Sequence, residues 1–266
     1  MDSLELVKQT KLDTLEMIRD AKSSHVGSNF SIADLLGVLY TKFLNIFPEN
    51  PKKEERDRFF LSKGHATAIL YSTLARMGFF DTDKLKTFYK KNSLLLGHAH
   101  FKVPGIELST GSLGHALNVA TGVALAGKRR SKAYKTVVLL SDGELDEGSN
   151  WEALLFAAHF KLNNLYIIID YNKIQSLDRI ENTIALEPLK NKLEAFNLDV
   201  LECDGHNHSD IEEKLNAFNN AQKPHVLIAH TTKGKGVSFM EDTVLWHYRN
   251  PQGDEYETAR KELLNA

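Results

Sequence analysis

The segment LLSDGELD, Leu139 to Asp146, ends an apolar run in an acid and a glycine, and IIIDYNKIQ ends a second apolar run in an amide, Asn172. A carboxylate at Asp142, an amide oxygen at Asn172 and the backbone carbonyl of Ile174 in NKI make a partial shell of hard oxygen ligands, the kind taken by Mg²⁺ or Ca²⁺. A magnesium ion held by so few protein groups completes its octahedron with water and phosphate oxygens. Gly143 lets backbone approach a phosphate closely, and the helix that follows directs N–H groups at it. The chemistry this spacing offers is the anchoring of a diphosphate through a metal. Asp, Asn and Gly are also common turn residues, so the same letters suit two plain turns after two strands.

Both positions need a sheet to bring them together. Short all-apolar strands are expected at Thr136–Leu140, Leu165–Asp170, Asp199–Cys203 and His225–His230, with helices near Trp151–Phe160 and over 211–220. FFLSKGHATAILYSTLARMG runs from a short strand through a turn into a helix ending at Gly78. Strands apolar on both faces and alternating with helices imply a mostly parallel, doubly wound α/β sheet with helices on both faces. Ligands of such sheets sit beyond the carboxyl ends of the strands, where Asp142 and Asn172 both fall. Amphipathic spacing predicts a helix over Leu4–Lys22, and Ile32–Phe43 reads as a more buried one. The segment Thr231–Pro251 is the longest irregular stretch and the candidate for a mobile functional loop.

The 266 residues, with 42% hydrophobic composition, can bury one large core, and no repeat, low-complexity segment or linker divides them. With 33 basic and 35 acidic residues spread without blocks, the chain carries no electrostatic footprint for nucleic acid or membrane. It has neither a run of membrane-spanning length nor a secretory signal pattern, which points to the cytoplasm. Cys203 is the sole cysteine, so an intrachain disulfide is excluded and any metal must take oxygen or imidazole ligands.

SDGELDEGSNWEA and HFKLNNLYIIIDYNKIQ together resemble the thiamine diphosphate signature of the transketolase family, with Ser141 where that family usually has Gly. AKSSHVGSNFSIADLL resembles its amino-terminal block, with Ser24 before the histidine in place of Gly. LSKGHATAILY, LLGHAH and STGSLGHALNVATGVALA resemble three further blocks in the same order. The resemblance covers nearly the whole chain. It implies that Asp142, Asn172 and Ile174 hold Mg²⁺ or Ca²⁺, that Gly143 lies beside the diphosphate, and that His65 contacts it. It further implies that His25 and His247 face substrate and diphosphate, that His98 meets the donor hydroxyl, and that Gly114 lies near the thiazolium and aminopyrimidine. Glu147 would sit at a subunit interface, in a carboxylate network linking two cofactor sites.

Other residues have plainer readings beside functional ones. Glu147 and Glu152 suit the positive end of a helix. Lys233 and Lys235, alternating with Gly234 and Gly236, suit an anionic ligand or a solvated loop. His100, His115 and His159 are structural or supporting candidates. CDGHNHSD has the look of a metal cluster, but a turn followed by a helix capped by Ser209 accounts for it.

The resemblance implies transfer of a two-carbon ketol unit from a ketose donor to an aldehyde acceptor, with sugars or sugar phosphates as substrates. The chain would supply one diphosphate-binding (PP-type) domain over residues 1–266. The complementary Pyr-type domain would come from a separate carboxyl-terminal subunit in a dimer of heterodimers. Three alternatives share parts of the pattern: the α subunit of a 2-oxoacid dehydrogenase or decarboxylase, a deoxyxylulose phosphate synthase fragment, and a non-catalytic thiamine diphosphate-binding partner.

Overall fold

Five strands form one parallel sheet in the order β1-β2-β3-β5-β4 in the computed structural model, which describes residues 1–219 and 222–265. They are β1 (Arg58–Leu61), β2 (Thr136–Ser141), β3 (Leu165–Tyr171), β4 (Asp199–Asp204) and β5 (His225–His230). The helices are α1 (Ser3–Ala21), α2 (Val26–Ser31), α3 (Ala33–Val38), α4 (Thr67–Arg76), α5 (Ala116–Arg129), α6 (Gly148–His159), α7 (Ile180–Thr183), α8 (Leu189–Ala195), α9 (His208–Ala217) and α10 (Asp254–Asn265).

Strand side chains alternate between two cores, which is why the central strands read as continuous apolar runs. Val137 and Leu139 of β2 and Ile168 of β3 pack with α1, α3, α4 and α9. Val138, Leu140, Ile167 and Ile169 pack with α5, α6 and α8 on the opposite face. Each such side chain, withdrawn from water, stabilises the fold by roughly 1.5–3 kcal/mol. A third cluster lies outside the first, where Leu15, Ile18, Phe30 and Tyr71 meet α10 and the segment that precedes it.

The register brings the functional strand ends level. Ser141 pairs with Asp170, Asp170 with Ala229, and Tyr171 with His230, so β2, β3 and β5 stop along one edge. Asp142, Asn172 and the segment from Thr231 therefore leave the sheet side by side.

Several expected boundaries shift for local reasons. Asp2 caps α1 by accepting the Glu5 N–H at 2.8 Å, and left-handed Lys22 closes it, so the helix starts and ends one residue early. Ile32–Phe43 is not one helix: α3 ends at Val38 and continues as a π-helical turn, Leu39–Phe43. Asn207, not Ser209, caps α9, because its side-chain oxygen accepts both the Ser209 and Asp210 N–H groups. That helix ends at Ala217, and Asn220, the expected end, lies outside the described residues. The segment Thr231–Pro251 is irregular as expected, yet Val237, Met240 and Trp246 are buried in the third cluster and fasten it down. The charged segment after it forms α10.

Candidate active site

A cavity of about 240 Å³ opens at the carboxyl edge of the sheet, lined by His25, His65, His98, Asp142, Asn172, Lys233 and His247 among others. Most of these groups come from strand ends or the loops just beyond them. Lys63 and His65 follow β1, Asp142 and Gly143 follow β2, Asn172 and Ile174 follow β3, and Lys233 and His247 lie in the loop after β5.

Asp142 is almost wholly buried. Its carboxylate accepts the Gly143 N–H at 2.7 Å and the Lys173 N–H at 2.5 Å, the second with Lys173 in the left-handed region at φ 65°. Burial, together with the nearby Asp170 carboxylate, pushes its pKa up to about 7. Asn172 donates from Nδ2 to Asp170 at 3.0 Å and to the Ser31 hydroxyl at 3.3 Å. A carboxylate only accepts, so the amide must turn its NH₂ toward Asp170. Oδ1 is left facing the loop, where it accepts the Ile174 N–H at 3.1 Å.

A buried carboxylate, an amide oxygen and the Ile174 carbonyl, which accepts from Nζ of Lys233 at 3.0 Å, belong to residues lining the same cavity, and their oxygens are of the hard type that Mg²⁺ or Ca²⁺ prefers. No group of three His, Cys, Asp or Glu side chains placed to hold a metal occurs among the described residues. A cation here would rely on that mixed set and on ligand oxygens. Gly143 keeps the cavity open beside Asp142: a Cβ there would come within 2.9 Å of the Gln175 side chain.

The imidazoles crowd one wall. The ring of His25 lies 5.2 Å from that of His65, 6.1 Å from that of His98 and 5.0 Å from that of His247. Burial, His98 and Lys233 lower the pKa of His25 to about 4; burial and Lys233 lower that of His247 to about 3. Burial and Lys63 hold His65 well below its ordinary value. These three rings are neutral near pH 7 and offer hydrogen bonds without charge. His98 is exposed at the rim, beside Gly111, where a Cβ would come within 3.0 Å of its ring.

Sequence reasoning passes over Lys63, which lines the cavity, and two buried acids behind its wall, Asp170 and Glu144. Lys63 pairs with Asp170 at the floor, both side chains fully buried. Burial pushes the Asp170 carboxyl up, but Lys63 and the hydroxyls of Ser31 and Thr231 outweigh it and hold it low. Glu144, also buried, accepts from the Ser62 hydroxyl and from the Gly114 N–H at 2.9 Å. It fixes Gly114, which sits at φ 79° with no room for a side chain between Ser149 and Glu147. Both acids lie at apolar strand ends, Asp170 within β3 and Glu144 two residues past Asp142, and that position alone does not tell a buried acid from a solvated one.

Other candidates fall elsewhere. Glu147 and Glu152 are exposed at α6, His115 and His159 are exposed at α5 and α6, and His100 is half-buried. Lys233 is buried whereas Lys235 is half-exposed and paired with Glu241 at 3.5 Å. His206 and His208 both bond to Asp34, at 2.9 and 3.0 Å. Burial alone would raise the Asp34 pKa, but these two contacts and Lys11 keep it far below its ordinary value.

Residues 3–264 match the family model described as transketolase, thiamine diphosphate binding domain. The chain is 41% identical over 265 residues to an apulose-4-phosphate transketolase subunit of Phocaeicola vulgatus, covering 99% of this chain and 94% of that one. It is 37% identical over 252 residues to the 6-deoxy-6-sulfo-D-fructose transketolase subunit SqwG of a Clostridium species, covering 94% and 92%. Among solved structures, transketolase from Campylobacter jejuni superposes with a TM-score of 0.92 at 32% identity, covering 98% of this chain and 42% of that one.

Proposed function

The chain belongs to the transketolase family, and on that premise we propose that it is the thiamine diphosphate-binding subunit of a split enzyme that moves a two-carbon ketol unit from a ketose to an aldehyde. The observation that carries this reading is the meeting of Asp142, Asn172 and the Ile174 carbonyl with His25, His65, His98 and His247 around one cavity. When bound, thiamine diphosphate supplies the nucleophilic carbon and the electron sink for ketol transfer.

The chain's own residues would divide the remaining work. Asp142, Asn172 and Ile174 hold Mg²⁺, or Ca²⁺ in its place, and Gly143 leaves room for the diphosphate. Lys63 is paired with Asp170, and Lys233, whose pKa burial and Lys63 lower to about 8, adds positive charge beside the anion. His25, His65 and His247, kept neutral, hydrogen-bond diphosphate and substrate oxygens. His98 at the rim meets the donor hydroxyl and relays its proton. Gly114, fixed by Glu144, borders the ring end of the cofactor.

We read residues 1–266 as one PP-type domain whose cavity is completed by a carboxyl-terminal subunit carrying the Pyr-type domain. The relatives named as single transketolase subunits, which this chain nearly spans, support a partner of that kind. Helices α5 and α6 pack on each other yet leave Val119, Leu155 and Phe156 exposed. This face, with Glu147 at the start of α6, suits a second copy and hence a dimer of heterodimers. No described helix is long and apolar enough to cross a membrane, and we place the enzyme in the cytoplasm with sugars or sugar phosphates as substrates.

The test is to incubate the reconstituted pair with a ketose phosphate, an aldose phosphate, thiamine diphosphate and Mg²⁺, and follow products by mass spectrometry. Ketol transfer yields one product shorter and one longer by two carbons. Release of CO₂ from a 2-oxoacid, with no such exchange, would favour the dehydrogenase or decarboxylase alternative instead.

A further inference from the structure

At one edge of the sheet, β4 and β5 bring a histidine of the loop before α9 against the start of the loop that follows β5. Asp204 pairs with His230, and Gly205 continues the approach: its N–H donates to the His230 carbonyl at 2.8 Å, and a Cβ there would come within 2.4 Å of Thr231 Cγ2. The next residue, His206, meets Thr232. Its Nε2 lies 2.7 Å from the Thr232 backbone nitrogen, and its Nδ1 lies 2.9 Å from Oδ2 of Asp34, in the first turn of α3.

Neither contact leaves the imidazole a choice. A backbone N–H can only donate, so Nε2 carries no proton and accepts. Burial raises the Asp34 pKa, but His206, His208 and Lys11 outweigh it, so the carboxylate is ionised and can only accept. The one form of His206 that satisfies both neighbours is the neutral ring with its proton on Nδ1. The neighbours are themselves held. Nε2 of His208 meets Asp34 at 3.0 Å, its Nδ1 meets the Ser3 hydroxyl of α1 at 2.8 Å, and Lys11 of α1 lies 3.7 Å from the same carboxylate. The backbone N–H of His206 donates to the Asp204 carboxylate at 2.9 Å.

What the ring holds is the base of the loop that reaches the cavity. Thr231 donates its hydroxyl to Asp170, Thr232 donates its N–H to His206, and Lys233, one residue on, lines the cavity, as does His247 farther along. His206 itself is not part of the cavity lining. We propose that His206 is a positioning residue: held by Asp34 as the Nδ1–H tautomer, it anchors the Thr232 N–H and so fixes where the loop after β5 enters the site. Through it, helices α1 and α3 set the placement of groups they do not touch. The consequence for ligand binding rests on the proposed thiamine diphosphate site; the anchoring does not.

The test uses the full chain at neutral pH without ligand. ¹⁵N-imidazole NMR, with the His206 signals identified by their loss in His206→Asn, should show a single Nδ1–H pattern in the wild type. Amide hydrogen exchange then compares two variants. In His206→Asn the shorter side chain can still donate to Asp34 but ends short of Thr232, and exchange of the Thr232 N–H should rise roughly tenfold, as for one lost hydrogen bond, while β5 amides such as that of Ile228 keep their rates. In His206→Gln the side-chain oxygen reaches the place of Nε2, and exchange at Thr232 should stay near the wild-type rate. An Nε2–H or doubly protonated pattern in the wild type overturns the proposal, even if a variant fails to fold. So does a Thr232 rate that is unchanged in His206→Asn, raised only in step with the β5 amides, or raised equally in His206→Gln. Because neither measurement involves ligand or turnover, failure here is distinct from failure of the ketol-transfer reading.

Discussion

Lys63 and Asp170 form an ion pair between the ends of β1 and β3, with side chains 1% and 0% exposed. The Asp170 carboxylate also accepts from the hydroxyls of Ser31 and Thr231 and from Nδ2 of Asn172. The pair therefore does more than neutralise itself: it sets which way the Asn172 amide points, and so where its oxygen stands relative to Asp142.

Removing one partner of a buried pair leaves a charge with no counterion, at a cost of about 3–5 kcal/mol. Lys63→Met should lower stability by that amount in urea unfolding, and the double variant Lys63→Met/Asp170→Asn should recover most of it. A single-variant loss below about 1 kcal/mol would mean that water reaches the site and that the pair is not the buried unit described.

Asp142→Ala removes the carboxylate proposed to meet a cation and should abolish metal-dependent binding of thiamine diphosphate by the chain with its partner. Asn172→Ala should weaken it less, by roughly tenfold, since water can replace a neutral oxygen ligand. Isothermal titration with and without EDTA checks both. Wild-type affinity and metal dependence in Asp142→Ala would remove that carboxylate from its proposed role.

Much of this architecture is legible in the sequence. Apolar runs in β2, β3 and β5 mark the parallel sheet, and an acid and a glycine after β2 with an amide after β3 mark the edge where the cavity opens. Lys63, Asp170 and Glu144 are not legible, because an acid at the end of an apolar strand looks the same whether it is solvated or buried against a cation distant in the chain. Lys233 and Lys235 read alike, since each is followed by a glycine; packing against Gly27 and bonds to the Ile174 and Gln175 carbonyls separate the buried lysine from the half-exposed one. Ser209 is the expected cap of α9, but Asn207, two residues earlier, reaches the first free N–H groups.

The neutral imidazoles make stability depend on acid. In the unfolded chain a histidine takes up a proton near pH 6.5, whereas His25 does so only near 4 and His247 only near 3 in the folded chain. The unfolded state thus binds more protons between these values. The stabilisation is present above about pH 6.5 and is lost as pH falls toward 4. Unfolding at pH 7 and pH 5 should show a loss of roughly 1 kcal/mol per histidine, allowing for partial solvent screening. The double variant His25→Gln/His247→Gln should lose correspondingly less. An equal loss in variant and wild type would assign the acid sensitivity to other groups.

His98 stands apart from the other three rings, being exposed at the cavity rim. His98→Ala should lower turnover of ketose donors by roughly a hundredfold, the lower end of what a lost general acid–base group costs, and leave thiamine diphosphate affinity nearly unchanged. Donor kinetics and a separate cofactor titration separate the two. Equal losses in both would move His98 from the substrate to the cofactor.

Dependence on a second chain follows from which end of the cofactor this cavity would hold. On the proposed reading Asp142, Asn172 and the imidazoles would surround the diphosphate end, Gly114 would border the ring end, and the Pyr-type domain would cover that ring end. Without that domain, water would reach the reacting carbon and nothing would orient the aminopyrimidine. The 266-residue chain should therefore fold and self-associate through α5 and α6 but show no ketol transfer alone. Adding the Pyr-type subunit should create activity that saturates near a one-to-one ratio. Phe156→Asp, placed on the exposed face of α6, should lower the mass seen by light scattering and reduce that activity together. Robust transfer by the chain alone, from a host lacking its own transketolase, would show that its cavity is complete without a partner.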